Sequence, residues 1–567
     1  MSKTADKRGV RVQWGETIPL RDGVRLSATL YLPEGMSGPA PALCTLTPYI
    51  GQTYHERGLY FAAHGYPFLT VDVRGRGNSE GVFVPNINEA KDGCDVVEWL
   101  ASQPYCNGKV AMWGGSYAGY SQWAVAKEFP VHLATIVPAA APCFGVDFPI
   151  RSNVASPYLL QWLSLVAGKT LQDDVFADRP YWSGRFRRWL QSGIAFNSLD
   201  RFLGAPSTIF QDWLAHPHQD AHWDRYNPTP EQYAQLTLPI LTITGIYDGN
   251  QLGALTHYRE HCKHSSASAR ARHYLVIGPW DHAGTRTPTL EFAGLCVGPE
   301  SLVDLPALHR EWYAWTMQDG PKPAFLEKNV AFYVMGLEQW RYADTLEAVT
   351  AGVRPLYLQS VMNPIDVFSS GSLSGKPQGG PDRYVYDPRD TSLAELEASA
   401  PEGPTNDQLV YASTGRHLVY HSDAFVDDVE ICGFFRLSVW LAIDQPDTDF
   451  RAAVYAVDID GSTVELSADW MRARYRESLR EEHLVRTTAP LRYDFERFTF
   501  VARQVRKGSR LRLVIGPINS IYRQKNYNSG RDVSGETMQD ARPVTVQLFH
   551  DAEHPSVLDV PLGSLLT

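Results

Sequence analysis

The chain has 567 residues, 44% of them hydrophobic and 20% charged, with a formal net charge of −11 and a pI near 5.9. One hydrophobic core does not serve that length, so about two to four domains are predicted. The acidic balance argues against nucleic acid or an anionic membrane as partner, because both need clustered Lys and Arg, and no run of about 18 apolar residues predicts a membrane span.

The N-terminus, MSKTADKRGVRVQWGE, carries basic residues with no apolar stretch behind them, so no secretory signal is expected. The seven cysteines (44, 94, 106, 143, 262, 296 and 432) are scattered and form no CxxC pair. They are expected to be small buried side chains in a reducing cytoplasm, not a disulfide framework or zinc site.

Residues 1–143 alternate strand and helix signals. VRLSATLYLP, PALCTLTPY, YPFLTVDVRG and GKVAMWGG are predicted strands. NEAKDGCDVVEWLASQ is a predicted helix with Ala90, Cys94, Val97 and Ala101 on its apolar face. YAGYSQWAVAKEF is a second helix, and LATIVPAAAP a further buried strand. Apolar strands alternating with helices imply a mainly parallel sheet covered on both faces. From 144 to 236 strand patterns vanish and aromatics crowd in, which predicts a helical cap. The α/β rhythm resumes over 237–350, with PILTITGIYD, LGALTHYREHC, ARHYLVIGPWDH, LPALHREWYAWTM and NVAFYVMG. The Gly/Ser/Pro-rich stretch 369–382 marks the far side of a second boundary. Alternating runs such as GFFRLSVWLAID, DFRAAVYAVDIDG and SRLRLVIG then predict an antiparallel β-sandwich over 351–567.

The strongest chemical signal is Val110-Ala111-Met112-Trp113-Gly114-Gly115-Ser116-Tyr117-Ala118-Gly119. An apolar strand, Gly-x-Ser and a helix make a nucleophile elbow, in which a serine on a sharp turn presents its hydroxyl at the end of a sheet. The Tyr117 backbone N–H and the positive end of the helix would face a developing oxyanion. In such folds an acid and then a histidine follow the serine, each near a strand end. Asp248 stands behind ILTITGIY and His282 behind HYLVIGPWD. The histidine supplies the base that a serine hydroxyl needs, and the aspartate fixes its tautomer. Asp281 is a secondary candidate for the acid, because a sequence neighbour cannot easily reach the ring from the correct side.

Gly-Gly-Ser-Tyr-Ala-Gly with the preceding Tyr-Cys-Asn-Gly-Lys-Val resembles the serine signature of the cocaine esterase/X-Pro dipeptidyl-peptidase-like (CocE/NonD) hydrolases. Pro19–Leu26, Asp72–Gly81, Gly278–His282, Val334–Arg341, Asp447–Phe450 and Met471–Arg476 match as well, so the resemblance runs along nearly the whole chain. It implies an α/β-hydrolase domain, a helical cap and a C-terminal jelly roll. It further implies a second oxyanion donor, a tyrosine hydroxyl after an early strand. Thr47-Pro48-Tyr49 stands there, with Thr in place of the usual Asn, so Tyr49 is that candidate. A related branch, the α-amino acid ester hydrolases, adds carboxylates that grip the substrate ammonium. Here Gly249, Asn250 and Gln251 follow Asp248, and only Asp147 matches loosely at the start of the cap. An apolar or aromatic acyl group is therefore expected, with Phe144, Phe148, Tyr158 and Trp162 as candidate pocket walls beside Asp147.

His216, His218 and His222 could hold zinc by spacing, but no further ligand stands out, so no metal and no cofactor is expected. Asp72 and Arg74 are read as fixing the loop beneath the site. The expected partner is a small-molecule ester or amide; a homodimer is admissible. Three rivals stay open: acyl transfer by the same acyl-enzyme, an X-Pro dipeptidyl peptidase, whose relatives usually carry a larger N-terminal region, and a non-catalytic sugar-binding protein.

Overall fold

The computed structural model describes residues 9–401 and 403–564; residues 1–8, on which the expectation of no secretory signal partly rests, lie outside them. Ten strands form the first sheet: β1 (Val10–Pro19), β2 (Arg25–Pro33), β3 (Ala40–Thr47), β4 (Phe68–Asp72), β5 (Cys106–Gly115), β6 (Leu133–Ala139), β7 (Ile240–Tyr247), β8 (His273–Asp281), β9 (Val330–Val334) and β10 (Gln339–Ala343). Their order is β1-β2-β4-β3-β5-β6-β7-β8-β9-β10. From β4 to β9 every pairing is parallel. The antiparallel pairings are confined to the two sides, at β1–β2, β2–β4 and β9–β10. The central strands are mostly apolar and buried because helices cover both faces. In the first half these include α1 (His55–Ala63), α2 (Glu89–Ala101) and α3 (Tyr117–Ala126).

The buried face of α2 differs from the predicted one. Glu89, Asp92, Gly93, Val96, Val97 and Leu100 are buried, whereas Ala90, Cys94 and Ala101 lie on the half-buried flank. The apolar pattern misleads because two carboxylates turn inward to partners. Tyr117 donates its hydroxyl hydrogen bond to Glu89, and Arg74 pairs with Asp92 at 2.7 Å. Gly93 permits the close α2–α3 crossing: a Cβ there would sit 2.2 Å from Val125 Cγ2.

Between β6 and β7 lies a segment of mostly short helices, including α4 (Tyr158–Leu165) and α5 (Arg179–Ser192). It is not free of strands: Ile150–Arg151 and Val154–Ala155 pair as a small hairpin. The second half of the α/β sheet adds α6 (Gln251–His264) and α7 (Leu305–Gln318).

The C-terminal domain is all-β in character, a thirteen-stranded and almost wholly antiparallel sheet with two short helices, Ala394–Ser399 and Gln408–Ala412. The 369–382 stretch falls inside this sheet, since Gly371–Ser374 is itself a strand and Asp382 opens the next. Two buried ion pairs, Arg472–Asp449 and Arg474–Asp447, both at 2.8 Å, organise one end of the domain. Asn526 donates to both aspartates. The small hairpin is stitched to this end by hydrogen bonds: Arg472 to the Asn153 carbonyl at 3.1 Å, Trp470 Nε1 to the Arg151 carbonyl at 3.0 Å, and Gln524 N–H to the Ala155 carbonyl at 2.9 Å.

Candidate active site

Ser116 sits between the end of β5 and the start of α3 with φ 60° and ψ −125°. Such a conformation costs a non-glycine residue roughly 1–3 kcal/mol and persists only where its surroundings impose it. Those surroundings explain the small residues of the motif. Gly114 has φ 141°, and a Cβ there would lie 2.6 Å from the Ala118 Cβ. A Cβ on Gly119 would approach the Ala139 carbonyl oxygen of β6 to 2.5 Å. Gly119 thus makes the close helix-to-strand contact, while Ala118 occupies the position where a second glycine is usual.

His282 follows β8, and its Nδ1 lies 2.7 Å from Asp248 Oδ1 at the end of β7. Asp248 is fully buried. Its oxygens also accept from Thr244 Oγ1 at 2.9 Å and from the Asn250 N–H at 3.0 Å. Burial alone would raise its pKa; the charge of His282 and these hydrogen bonds outweigh burial and hold it below the usual carboxylate range. Asp281 instead accepts from the Gly284 N–H at 2.7 Å and shapes the turn after β8. Ser116 and His282 line one cavity of about 360 Å³. The Ser116 hydroxyl makes no hydrogen bond among the described residues; such contacts commonly tighten only with substrate.

Tyr117 and Tyr49 are the two candidate oxyanion donors. Tyr117 is the first residue of α3, where a backbone N–H has no partner within the helix. Tyr49 follows β3 and is half-buried on the cavity wall. Its hydroxyl accepts a hydrogen bond from Trp162 Nε1 at 3.2 Å. An indole N–H can only donate, so the Tyr49 proton is left free to donate elsewhere. Thr47, in place of the usual Asn, accepts the Tyr49 N–H at 3.0 Å. Arg76 fixes the same loop: it is buried and donates to the Pro48 carbonyl at 2.8 Å and to the Val166 carbonyl at 2.8 Å. Asp72 accepts from the Gly51 N–H at 2.6 Å, and Arg74 pairs with Asp22 and Asp92.

Phe144, Asp147, Phe148, Tyr158 and Trp162 line the cavity too. Asp147 does not offer a free carboxylate. Its oxygens accept from the Cys143 N–H at 2.9 Å, the Gly253 N–H at 2.8 Å and Asn250 Nδ2 at 3.3 Å. Burial is the largest influence on it and pushes its pKa up to about 6. Asn86, Arg151, Trp470 and Arg523 also line the cavity and were not singled out from the sequence. Asn86 is buried with both side-chain amide atoms unpartnered among the described residues. Glu89, beneath it, is pushed up to about 7, by burial first and against the hydrogen bond from Tyr117.

The three histidines of the cap do not all converge, but two of them do, and Asp212 supplies the further possible ligand that the sequence did not show. His218 Nδ1 lies 3.2 Å from the Tyr475 hydroxyl, whereas His216 and His222 stack at 3.7 Å and are joined by Asp212. His216 Nδ1 is engaged by Asp220 at 2.9 Å, and His222 Nδ1 lies 3.3 Å from Arg225 Nη2. Among the described residues, no helix is long and apolar enough to cross a membrane.

Comparison with known proteins adds the family. The X-Pro dipeptidyl-peptidase (S15 family) model matches residues 22–284, and the model of the X-Pro dipeptidyl-peptidase C-terminal non-catalytic domain matches 324–559. A cocaine esterase from Rhodococcus sp. (strain MB1 Bresler) is 26% identical, over 96% of this chain and 97% of its own. Two solved structures show the same fold at 20% identity. An α-amino acid ester hydrolase has a TM-score of 0.82, covering 99% of this chain and 98% of its own. An aminopeptidase from a marine sediment Thaumarchaeota archaeon has a TM-score of 0.83, covering 100% and 98%. The chain belongs to the cocaine esterase/X-Pro dipeptidyl-peptidase-like family and is a hydrolase enzyme of the esterase type.

Proposed function

We propose that the protein hydrolyses carboxylic esters, or amides, through an acyl-enzyme on Ser116. His282 takes the serine proton as Oγ attacks the carbonyl, and Asp248 holds the ring and stabilises the imidazolium. The Tyr117 N–H and the Tyr49 hydroxyl meet the charge that develops on the carbonyl oxygen. His282 returns the proton to the leaving group, and water then releases the acid. The observation that carries this reading is a serine in a strained strand-to-helix turn, sharing one cavity with a histidine hydrogen-bonded at 2.7 Å to a buried aspartate. A fluorophosphonate should label the enzyme stoichiometrically, and peptide mapping should find the adduct on Ser116. An adduct on another serine would end the reading.

The acyl group is expected to be apolar or aromatic and without an α-ammonium. Phe144, Phe148 and Trp162 supply apolar wall, and the Asp147 carboxylate is already committed to three donors. Comparing kcat/KM for a phenylacetyl ester and its α-amino analogue should favour the uncharged compound. A preference of more than about tenfold for the amino compound, roughly 1.4 kcal/mol, would reveal an ammonium site, and Asp147 would be the first residue to replace.

A further inference from the structure

The charges lining the cavity are unbalanced. Two arginines, Arg151 from the small hairpin and Arg523 from the C-terminal domain, face it together with a single carboxylate, Asp147. Among the described residues neither guanidinium takes part in an ion pair. Arg151 Nη2 donates to the Ala468 carbonyl at 2.9 Å, and Arg523 Nη1 donates to its neighbour's carbonyl, that of Tyr522, at 2.8 Å. Arg151 Nε is buried with no acceptor. The nearby carboxylates are committed to other donors. Asp469 accepts the Trp470 and Arg497 N–H groups at 2.7 and 2.8 Å. Glu397 accepts Ser520 Oγ at 2.6 Å and the Ile521 N–H at 2.7 Å. Arg497 is a third guanidinium near Asp469 and Asp147, and it donates to the Val146 carbonyl at 3.0 Å. Elsewhere in the same domain the buried arginines do have carboxylate partners, as in Arg472–Asp449, Arg474–Asp447 and Arg512–Asp407.

Both unpaired guanidinium groups pack on the Trp470 ring, with Cζ 3.7 Å from its centroid for Arg151 and 4.9 Å for Arg523. Stacking on the indole fixes the planes of the two forks, and a planar fork matches a carboxylate. Holding cations in a partly buried wall without a directly paired carboxylate is costly. Burial accordingly pushes Arg151 down to about 10, against the pull of Asp469. An anion supplied by the substrate would relieve that cost.

We infer that Arg151, Arg523 and Trp470 form a carboxylate subsite, so that the substrates are esters or amides carrying a free carboxylate apart from the scissile bond. The inference rests on the reading of Ser116 as nucleophile, and the experiment separates the two. Two pairs of probes are compared: the p-nitrophenyl monoesters of glutarate and pentanoate, followed by colour, and the acetates of 3-hydroxyphenylacetate and 3-cresol, followed by chromatography of the released phenol. The first pair places the carboxylate on the acyl side and the second on the leaving side. In at least one pair the charged probe should exceed its neutral partner by about tenfold or more in kcat/KM. That excess should be lost in Arg151→Met and Arg523→Met and partly restored in the Lys variants at the same positions. Competitive inhibition of the unaltered enzyme by glutaramate against pentanamide reads the same preference without a substitution, in case a variant fails to fold. Neutral probes hydrolysed with label on Ser116, but no excess for the charged probe in either pair, would overturn the subsite and leave the esterase reading standing. An excess that survives both Met variants would also overturn it. No turnover and no label would instead overturn the esterase reading.

Discussion

Ser116→Ala is expected to lower kcat by about 10⁴-fold or more and to abolish fluorophosphonate labelling. The serine would be the atom that carries the acyl group, so no neighbour replaces it. What remains should be the modest rate that the oxyanion donors and binding give to direct attack by water. The fold should tolerate the change, because the hydroxyl makes no hydrogen bond among the described residues and alanine keeps the Cβ. The positive φ of 60° is imposed by the β5–α3 turn and stays in the variant. A thermal melt close to that of the parent, together with the lost rate, isolates chemistry from folding. A variant retaining more than about a tenth of kcat would remove Ser116 from the mechanism.

Tyr49→Phe should cost about 10²- to 10³-fold in kcat, with little change in KM, on a substrate whose acylation is rate-limiting. The ring would stay in place, packed edge-on against Tyr117 at 6.3 Å. Only the hydroxyl is lost, and it meets charge chiefly in the transition state. The variant also leaves Trp162 Nε1 without its acceptor, so some local loosening should accompany the loss of rate. Trp162→Phe offers the complementary measurement. It keeps the Tyr49 hydroxyl but frees its orientation, so its kcat should fall by less than in Tyr49→Phe. Near-normal kcat in Tyr49→Phe would take Tyr49 out of the oxyanion site.

Much of the α/β sheet was legible because its central strands are short apolar runs bounded by turns, and because helices separate them. The candidate triad was legible for the same reason: Ser116, Asp248 and His282 each stand directly behind such a run. β1 was missed: Val10, Val12 and Trp14 alternate with polar residues, but a bulge at Gly15 breaks the pattern, and the strand lies along one side of the sheet with much of its surface exposed. The face of α2 was misread because Glu89 and Asp92 are buried against Tyr117 and Arg74, partners fixed by tertiary structure and invisible to periodicity. Arg76 had a local signal, since VDVRGRG holds it two positions after Arg74. Arg151, Trp470 and Arg523 had none. Arg151 stands 319 positions before Trp470, and the three acquire a common role only where the small hairpin meets the C-terminal domain.

The stitching of residues 151–156 to that domain bears on how substrate range can diverge among relatives. The wall bearing Arg151, Trp470 and Arg523 is carried by different segments from the strand ends that hold Ser116, Asp248 and His282. After a gene duplication, changes at residues 470 and 523 could therefore accumulate while the chemistry at the strand ends is preserved, since substitutions that share no contact combine nearly additively. The Arg472–Asp449 pair is the exception. It anchors the hairpin from inside the domain, and losing one partner of a buried pair costs about 3–5 kcal/mol, so drift in specificity should run around that pair and leave it intact.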